Sequence, residues 1–349
     1  MNDNDSNRTP PAPELSSAYF RGVTRLAPSP TGALHLGNAR TFLINWALAK
    51  QHGWVVRFRM DDLDGPRIKP ESVRQAIDTL AWLGMDWQEP ILYQAADLNP
   101  YHDALMKLYN KGVIYLSFHS RKDIEQALSA PHADDHELRF PLELRPPADQ
   151  RPPHGPRPDL ADPGGDALTQ IADGSWRLMA PDEDIAFDDG VLGPQRVNVQ
   201  RTVGDFIVAR RSRLPAYQLA VVVDDARQGV TDIVRGDDLL TSTARQLLLY
   251  RLLELEPPRR HWHLPLVLGE DGRRLAKRHG DTRLHTYQAE HHVDPQRIIG
   301  LIASWSGVGN PCKPEPMSAS QFAQRFDIAA LPHEPVTFTS EHHQWLLAS

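Results

Sequence analysis

The run Arg25-Leu26-Ala27-Pro28-Ser29-Pro30-Thr31-Gly32-Ala33-Leu34-His35-Leu36-Gly37-Asn38 holds residue types suited to gripping a phosphate compound. His35 can donate a hydrogen bond to charge that develops on a phosphate oxygen. Gly37 has no side chain, so a nucleotide can approach the backbone closely. Arg25 offers a fork that matches a carboxylate. A lone His-x-Gly usually marks a surface turn, but the length and order of this run make chance a poor explanation. A second basic run, Arg274-Leu275-Ala276-Lys277-Arg278, lies far along the chain. A lysine on a loop there suits pyrophosphate departure, because it can neutralise charge that peaks in the transition state. Taken alone, such a run is more often solvated surface.

These side chains need elements to hold them. Val23 to Leu26 reads as a short strand, and Pro28, Pro30 and Gly32 force a turn after it. From Gly37, the residues Ala39, Phe42, Leu43, Trp46 and Ala47 keep the 3.6-residue period of a helix that stops at Gly53. Trp54 to Met60 is the next strand. Strand, helix, strand is the unit of a parallel sheet, and ligands of such sheets sit at the carboxyl ends of the strands. The N–H groups that open the helix favour an anion. Further helices are expected from Pro70 and from Pro100 to Asn110, the latter stopped by Gly112. The apolar run Leu219-Ala220-Val221-Val222-Val223 predicts a strand buried on both faces. Thr231 to Val234 predicts another strand, with a helix starting at Thr241 or Thr243. Residues 284–310 look helical.

The expected fold is α/β: a Rossmann-like doubly wound parallel sheet with an inserted subdomain and a small C-terminal helical segment. Residues 1–19 are a polar, proline-bearing disordered lead. Residues 20–114 form the first half of the sheet domain. Residues 115–200 form the insertion, with a proline-rich exposed loop over 146–166. Residues 201–260 complete the sheet, and 261–349 hold the basic loop and helices.

Composition narrows the class. The chain has 349 residues, 40% hydrophobic and 24% charged, an ordinary globular balance. The formal net charge of −7 argues against a surface coated in phosphate contacts but leaves room for a local basic face. One cysteine, Cys312, excludes an internal disulfide and cysteine-based zinc ribbons, and suits the cytoplasm. No apolar run reaches the ~20 residues that span a bilayer, so no membrane partner is expected, and nothing implies a protein partner.

The first run resembles the "HIGH" signature of class I aminoacyl-tRNA synthetases. More narrowly, it is similar to the glutamate branch, with its Arg-x-Ala-Pro-Ser-Pro-x-Gly string. Asn38 stands where the second histidine would be. Arg274–Arg278 resembles the "KMSKS" signature, with Arg274 for lysine and Ala276 for serine. The resemblance implies that His35 and Lys277 are catalytic and that His35, Gly37, Asn38 and Lys277 bind ATP. It also implies that Arg25, Leu26, Ala27, Pro28 and Ser29 line the place of L-glutamate. In Met60-Asp61-Asp62-Leu63-Asp64, Asp61 matches a family glutamate that meets the substrate's α-amino group, one methylene shorter. Asp62 and Asp64 read as turn caps. Tyr217, in Ala216–Asp225, matches a tyrosine of the amino-acid pocket. Arg235, in Ile233–Leu239, matches an arginine that contacts glutamate, and a guanidinium pairs bidentately with a carboxylate.

Only Arg278 to Ser349 follow Lys277, too few for an added anticodon-reading domain. The resemblance therefore narrows to the truncated glutamyl-Q tRNA(Asp) synthetase branch. That branch implies adenylate formation with ATP and Mg²⁺, then transfer of glutamate to queuosine in tRNA(Asp). Its usual zinc positions correspond to Ser117, His119, Phe140 and Leu144, which cannot make a tetrahedral site. No metal is expected in the insertion, which should rely on packing around Phe118 and Phe140. Arg210–Arg213 and Arg259–His263 are basic clusters open to phosphates or to plain solvation. Two alternatives remain: a truncated synthetase charging tRNA(Glu), and a silent paralogue that binds RNA or nucleotide. A small-molecule nucleotidylyltransferase is disfavoured by Arg25, Tyr217 and Arg235.

Overall fold

The computed structural model describes residues 21–63, 68–127, 139–151, 174–210, 214–275 and 282–348. The expected disordered lead, Asp64, most of the proline-rich loop and Lys277 lie outside the described residues.

β1 (Val23–Leu26) leads into α1 (Leu36–His52), β2 (Val55–Met60), α2 (Pro70–Trp82), β3 (Gln88–Tyr93) and α3 (Asn99–Asn110). The three strands pair in parallel in the order β1-β2-β3. α1 runs from its His35 cap to Gly53, which takes the left-handed conformation at φ 65° that ends a helix cheaply only in glycine. Its face Ala39, Leu43, Trp46 and Ala47 is buried, as the sequence period requires.

Next come β4 (Ile114–Ser117), α4 (Arg121–Ala127), β5 (Ser175–Leu178), β6 (Asp184–Asp189), β7 (Gly193–Asn198), α5 (Val199–Thr202) and β8 (Phe206–Ala209). β4, β5 and β8 make a separate antiparallel sheet. The hairpin β6–β7 does not join it. After α6 (Tyr217–Arg227) come β9 (Asp232–Gly236), α7 (Leu240–Leu253) and β10 (Arg260–Leu264), and β6 hydrogen-bonds onto β10 in the sheet order β7-β6-β10-β9. β11 (Val267–Leu268), α8 (Leu284–Ala289), α9 (Pro295–Trp305), α10 (Ala319–Arg325), β12 (Val336–Thr337) and α11 (Ser340–Leu347) complete the chain.

The two parallel halves meet where β1 lies beside the start of β9. Thr231 N–H donates to Val23 O at 2.9 Å, and Thr231 Oγ1 accepts from Val23 N at 2.8 Å. β2 and β3 extend one way from this seam, β10 and β6 the other. Strand order thus reverses there, which opens a crevice at the strand ends. One core packs α1 between β1, β2, α9 and α10, and a second packs α3, α6 and α7 against β5 and β8.

The run Leu219–Val223 is not a strand. It is the middle of α6, whose residues Gln218 to Asp225 are all buried. A short apolar run buried on every side carries no period, so a covered helix and a covered strand read alike. The helix is decided by its neighbours α3 and α7. Its two aspartates find partners in those surroundings: Asp224 accepts from Gln94 Nε2 and Tyr101 OH, both at 2.8 Å.

The insertion is organised by a carboxylate. Buried Asp205 accepts from Tyr115 OH at 2.9 Å, Arg145 Nη2 at 2.6 Å and Ala180 N–H at 2.9 Å. Arg177 lies 4.1 Å over the Phe140 ring and donates to Asp205 O. Phe140 packs with Tyr115, Ile124 and Leu144, whereas Phe118 is 59% exposed and is no part of that core. β4 alternates its faces, so buried Ser117 and Tyr115 share one side, and Phe118 falls on the other. Among the described residues, no group of three or more His, Cys, Asp or Glu side chains is placed to hold a metal ion.

Candidate active site

His35 is the N-cap of α1. Its Nδ1 accepts the Gly37 N–H at 3.1 Å, and its own N–H donates to Asn38 Oδ1 at 3.2 Å. Asn38, where a histidine might stand, thus closes a reciprocal cap. Burial, with Arg274 nearby, lowers the His35 pKa to about 4. The ring is neutral at pH 7, and with Nδ1 accepting, its proton sits on Nε2. A Cβ added to Gly37 would lie 3.1 Å from that ring, which explains the glycine locally. The helix opening, the neutral N–H donor and Gly37 together make a cradle for phosphate.

The crevice beside this cradle is lined by Arg25, Ala27, Asp61, Tyr217 and Arg235. Arg25 comes from β1 and Arg235 from β9, so the two guanidiniums flank the seam. The loop after β1 is tied to the end of β2 by Asp61 N–H donating to Pro28 O at 3.1 Å. Tyr217, the first residue of α6, is 37% exposed and so accessible to a ligand. Of the other expected residues, Leu26 is in the core, Pro28 contributes its carbonyl to that tie, and exposed Ser29 pairs with Thr31 Oγ1 at 3.1 Å. None of these three lines the crevice.

Sequence reading missed Arg59. It is fully buried and donates from Nε to Asp61 at 2.6 Å and from Nη1 to Asp225 at 2.5 Å. Arg25 Nε reaches the same Asp225 oxygen at 3.2 Å. An alternating chain results: Arg25, Asp225, Arg59, Asp61. With Arg235 it holds three guanidiniums against two carboxylates, one positive charge in surplus. The available signal was an arginine at the buried end of a strand, between Phe58 and Met60 and two positions before an aspartate. Burial pushes the Asp61 carboxyl up, against the pull of Arg59, and the short contact keeps it oriented along the crevice.

Arg235 is 4% exposed. It donates to His263 Nε2 at 3.0 Å, Gln246 Oε1 at 2.9 Å and Thr243 Oγ1 at 2.6 Å. It is therefore no surface ion pair. Arg274, at the start of the basic run, pairs with Asp238 at 2.5 Å, and both line the crevice. A wider groove adjoins it between β5, β8 and α7, sharing Tyr217 and Asp238 and lined also by Arg177, Arg210, Ser242 and Arg245. Of the basic clusters, Arg210 reaches this groove, and residues 211–213 lie outside the described ones. The other cluster is split: Arg259 and Arg260 are exposed, Arg260 pairing with Asp232 at 2.5 Å over the Trp54 ring, whereas His261 and His263 are buried.

A helix opening suited to phosphate, and arginines suited to a carboxylate across the same seam, have the chemistry that a site joining an amino acid to a nucleotide needs. On this doubly wound sheet they define a class I tRNA synthetase catalytic domain. The profile described as tRNA synthetases class I (E and Q), catalytic domain, matches residues 22–345. The chain is 41% identical over 329 residues to a glutamyl-Q tRNA(Asp) synthetase of Symbiobacterium thermophilum, covering 91% of this chain and 96% of that one. A glutamyl-Q tRNA(Asp) synthetase of Rhodopirellula baltica is 42% identical over 291 residues, 82% and 85% of the two chains. Glutamate–tRNA ligase 2 of Halorhodospira halophila is 34% identical over 327 residues, which span 93% of this chain but 64% of the ligase. A solved glutamate tRNA ligase of Elizabethkingia meningosepticum, in complex with its amino acid, superposes with TM-score 0.72 at 25% identity, covering 93% and 68%. The chain belongs to the class I (E and Q) tRNA synthetase family, in its glutamyl-Q tRNA(Asp) synthetase branch.

Proposed function

We propose that the chain activates L-glutamate with ATP and transfers the glutamyl group to the queuosine base at the wobble position of tRNA(Asp). The observation that carries the activation step is the charge pattern of the crevice. Its one surplus positive charge matches the net −1 of glutamate at neutral pH. Arg235 and Arg25 would meet carboxylates, and Asp61 the α-ammonium, beside a phosphate cradle. The branch of its relatives, read from their names, supports the acceptor.

In this reading the α-carboxylate of glutamate attacks the α-phosphorus of ATP. The carboxylate–phosphorus bond forms, and the bond to pyrophosphate breaks. His35 Nε2–H donates to the phosphate oxygens as their charge grows, and Lys277 takes the departing pyrophosphate. Gly37 and Asn38 hold the nucleotide against the helix opening. No protein cage for Mg²⁺ is needed, because Mg²⁺ bound with nucleotide is held largely by phosphates and water. The acceptor base would approach along the Arg177–Arg245 groove, which shares the Tyr217 wall with the crevice.

The test is ATP-dependent transfer of labelled glutamate to tRNA(Asp) with and without queuosine, beside tRNA(Glu). Label on queuosine-bearing tRNA(Asp) alone is expected. Label on tRNA(Glu) would instead make this a compact synthetase for that tRNA. With no label and no glutamate-dependent ATP–pyrophosphate exchange, the chain would be a binding paralogue. Lys277→Ala should slow exchange far more than it weakens glutamate binding.

A further inference from the structure

Behind Arg235, on the side away from the crevice, a buried histidine and aspartate are coupled. His263 on β10 has no exposure, and Asp189 closes β6 at 5%. His263 Nδ1 lies 2.6 Å from Asp189 Oδ2. The other carboxylate oxygen, Oδ1, accepts three backbone N–H groups: Val191 at 3.0 Å, Leu192 at 2.9 Å and His263 itself at 3.3 Å. The far ring nitrogen, Nε2, lies 3.0 Å from Arg235 Nε and 3.0 Å from Thr243 Oγ1.

We infer that Asp189 and His263 form a positioning pair that sets the guanidinium of Arg235 for the carboxylate of glutamate. The inference rests on the reading of Arg235 as a glutamate ligand. An arginine cannot accept a hydrogen bond, so Nε2 must present a lone pair to it. That requires the ring proton on Nδ1, where the Asp189 carboxylate accepts it. Burial and the adjacent guanidinium keep the ring neutral, and the carboxylate chooses the tautomer. Nε2 then anchors the inner edge of the arginine, while Thr243 and Gln246 hold its two outer nitrogens. Among the described residues, these bonds engage three of the five guanidinium N–H groups, leaving two for a ligand. The arrangement also explains why β6 reaches across to β10: the strand pairing His261 with Asp189 delivers the carboxylate to the ring.

Asp189→Asn tests this without changing shape. Three backbone N–H groups point at Oδ1, so the amide oxygen must take that place and the NH₂ must face His263 Nδ1. Nδ1 becomes the acceptor, the proton moves to Nε2, and Arg235 Nε loses its partner. The loss of one charge-assisted bond predicts glutamate binding weaker by roughly tenfold to a hundredfold, with ATP binding unchanged, both by calorimetry. Histidine-selective ¹⁵N spectra should show the proton on Nδ1 in the parent chain and on Nε2 in the variant. His263→Gln, whose amide oxygen can still accept from Arg235, should keep more glutamate affinity than His263→Leu.

Arg235→Met separates two kinds of failure. If it weakens glutamate binding while Asp189→Asn does not, the pair has no positioning role. If neither variant changes glutamate binding, Arg235 is not a glutamate ligand and the inference falls with that reading. Equal loss of ATP and glutamate binding in Asp189→Asn, or a parent ring protonated on Nε2, would also overturn it.

Discussion

Replacing Arg59 by methionine should convert the charge ladder beneath the crevice into a pH-dependent defect. The arginine is the cation between two carboxylates, 2.6 Å from Asp61 and 2.5 Å from Asp225. Asp225 keeps Arg25 at 3.2 Å, whereas Asp61 loses its close cation. Removing one partner of a buried pair costs about 3–5 kcal/mol, because the other charge is left in a poor solvent. Unfolding entropy near 2.1 cal/mol/K per residue gives ~0.7 kcal/mol/K for a chain of this size, so the melting temperature should fall by about 4–7 °C. The sign of the pH effect follows from linkage. In the variant, burial without Arg59 raises the folded pKa of Asp61 further above its unfolded value near ~3.9. Between those two values the folded state binds more protons, so stability falls as pH rises through the window and returns as pH falls. Calorimetry at pH 5 and pH 8 should show the larger deficit at pH 8. Adding Asp61→Asn should restore much of it, with a coupling above ~1 kcal/mol in a double-mutant cycle. A deficit equal at both pH values and additive with Asp61→Asn would refute the account of Arg59 as the counter-charge.

Gly37→Ala should separate stability from rate. The helix gains up to ~1 kcal/mol of propensity, while a Cβ 3.1 Å from the His35 ring disturbs a cap worth a similar ~1 kcal/mol. The melting temperature should move by only a few degrees, while pyrophosphate exchange falls by about tenfold or more; an unchanged rate would remove His35 from the cradle. His35 has a folded pKa of about 4, below the ordinary histidine value of 6.5 that the unfolded chain takes. Its contribution is constant above that unfolded value and destabilises progressively as pH falls from there toward 4. Thermal unfolding should therefore show the parent losing stability relative to His35→Gln across that window, and parallel curves would contradict a buried neutral ring. Asp205→Ala leaves Tyr115 and Arg145 without their acceptor. It should cost about 3–5 kcal/mol and speed proteolysis within residues 115–209, with an unchanged cleavage pattern counting against Asp205 as the hub.

Much of this protein was legible along the chain. The period of residues 36–52, the glycine that stops them and the alternation of strand and helix are local properties. They are decided by sterics and burial within a few turns, and β1, α1, β2, α2 and α3 follow the sequence reading closely. The ordered run from Arg25 to Asn38 could likewise be assigned to a strand end and a helix opening, because both are marked by residue type.

What the sequence could not decide depends on neighbours distant in the chain. Leu219 to Val223 has no period, and only the flanking α3 and α7 make it a helix. Arg59 meets Asp225 across 166 positions, and Asp189 meets His263 across 74. No local pattern announces such pairs, since a charge in a strand reads as exposed until its partner is placed. The sequence by itself determined the class of sheet and the residue types that line its seam. Tertiary structure alone decided which buried charges hold that chemistry in place, because a charge becomes tolerable in the interior only when the fold brings its opposite within hydrogen-bonding reach.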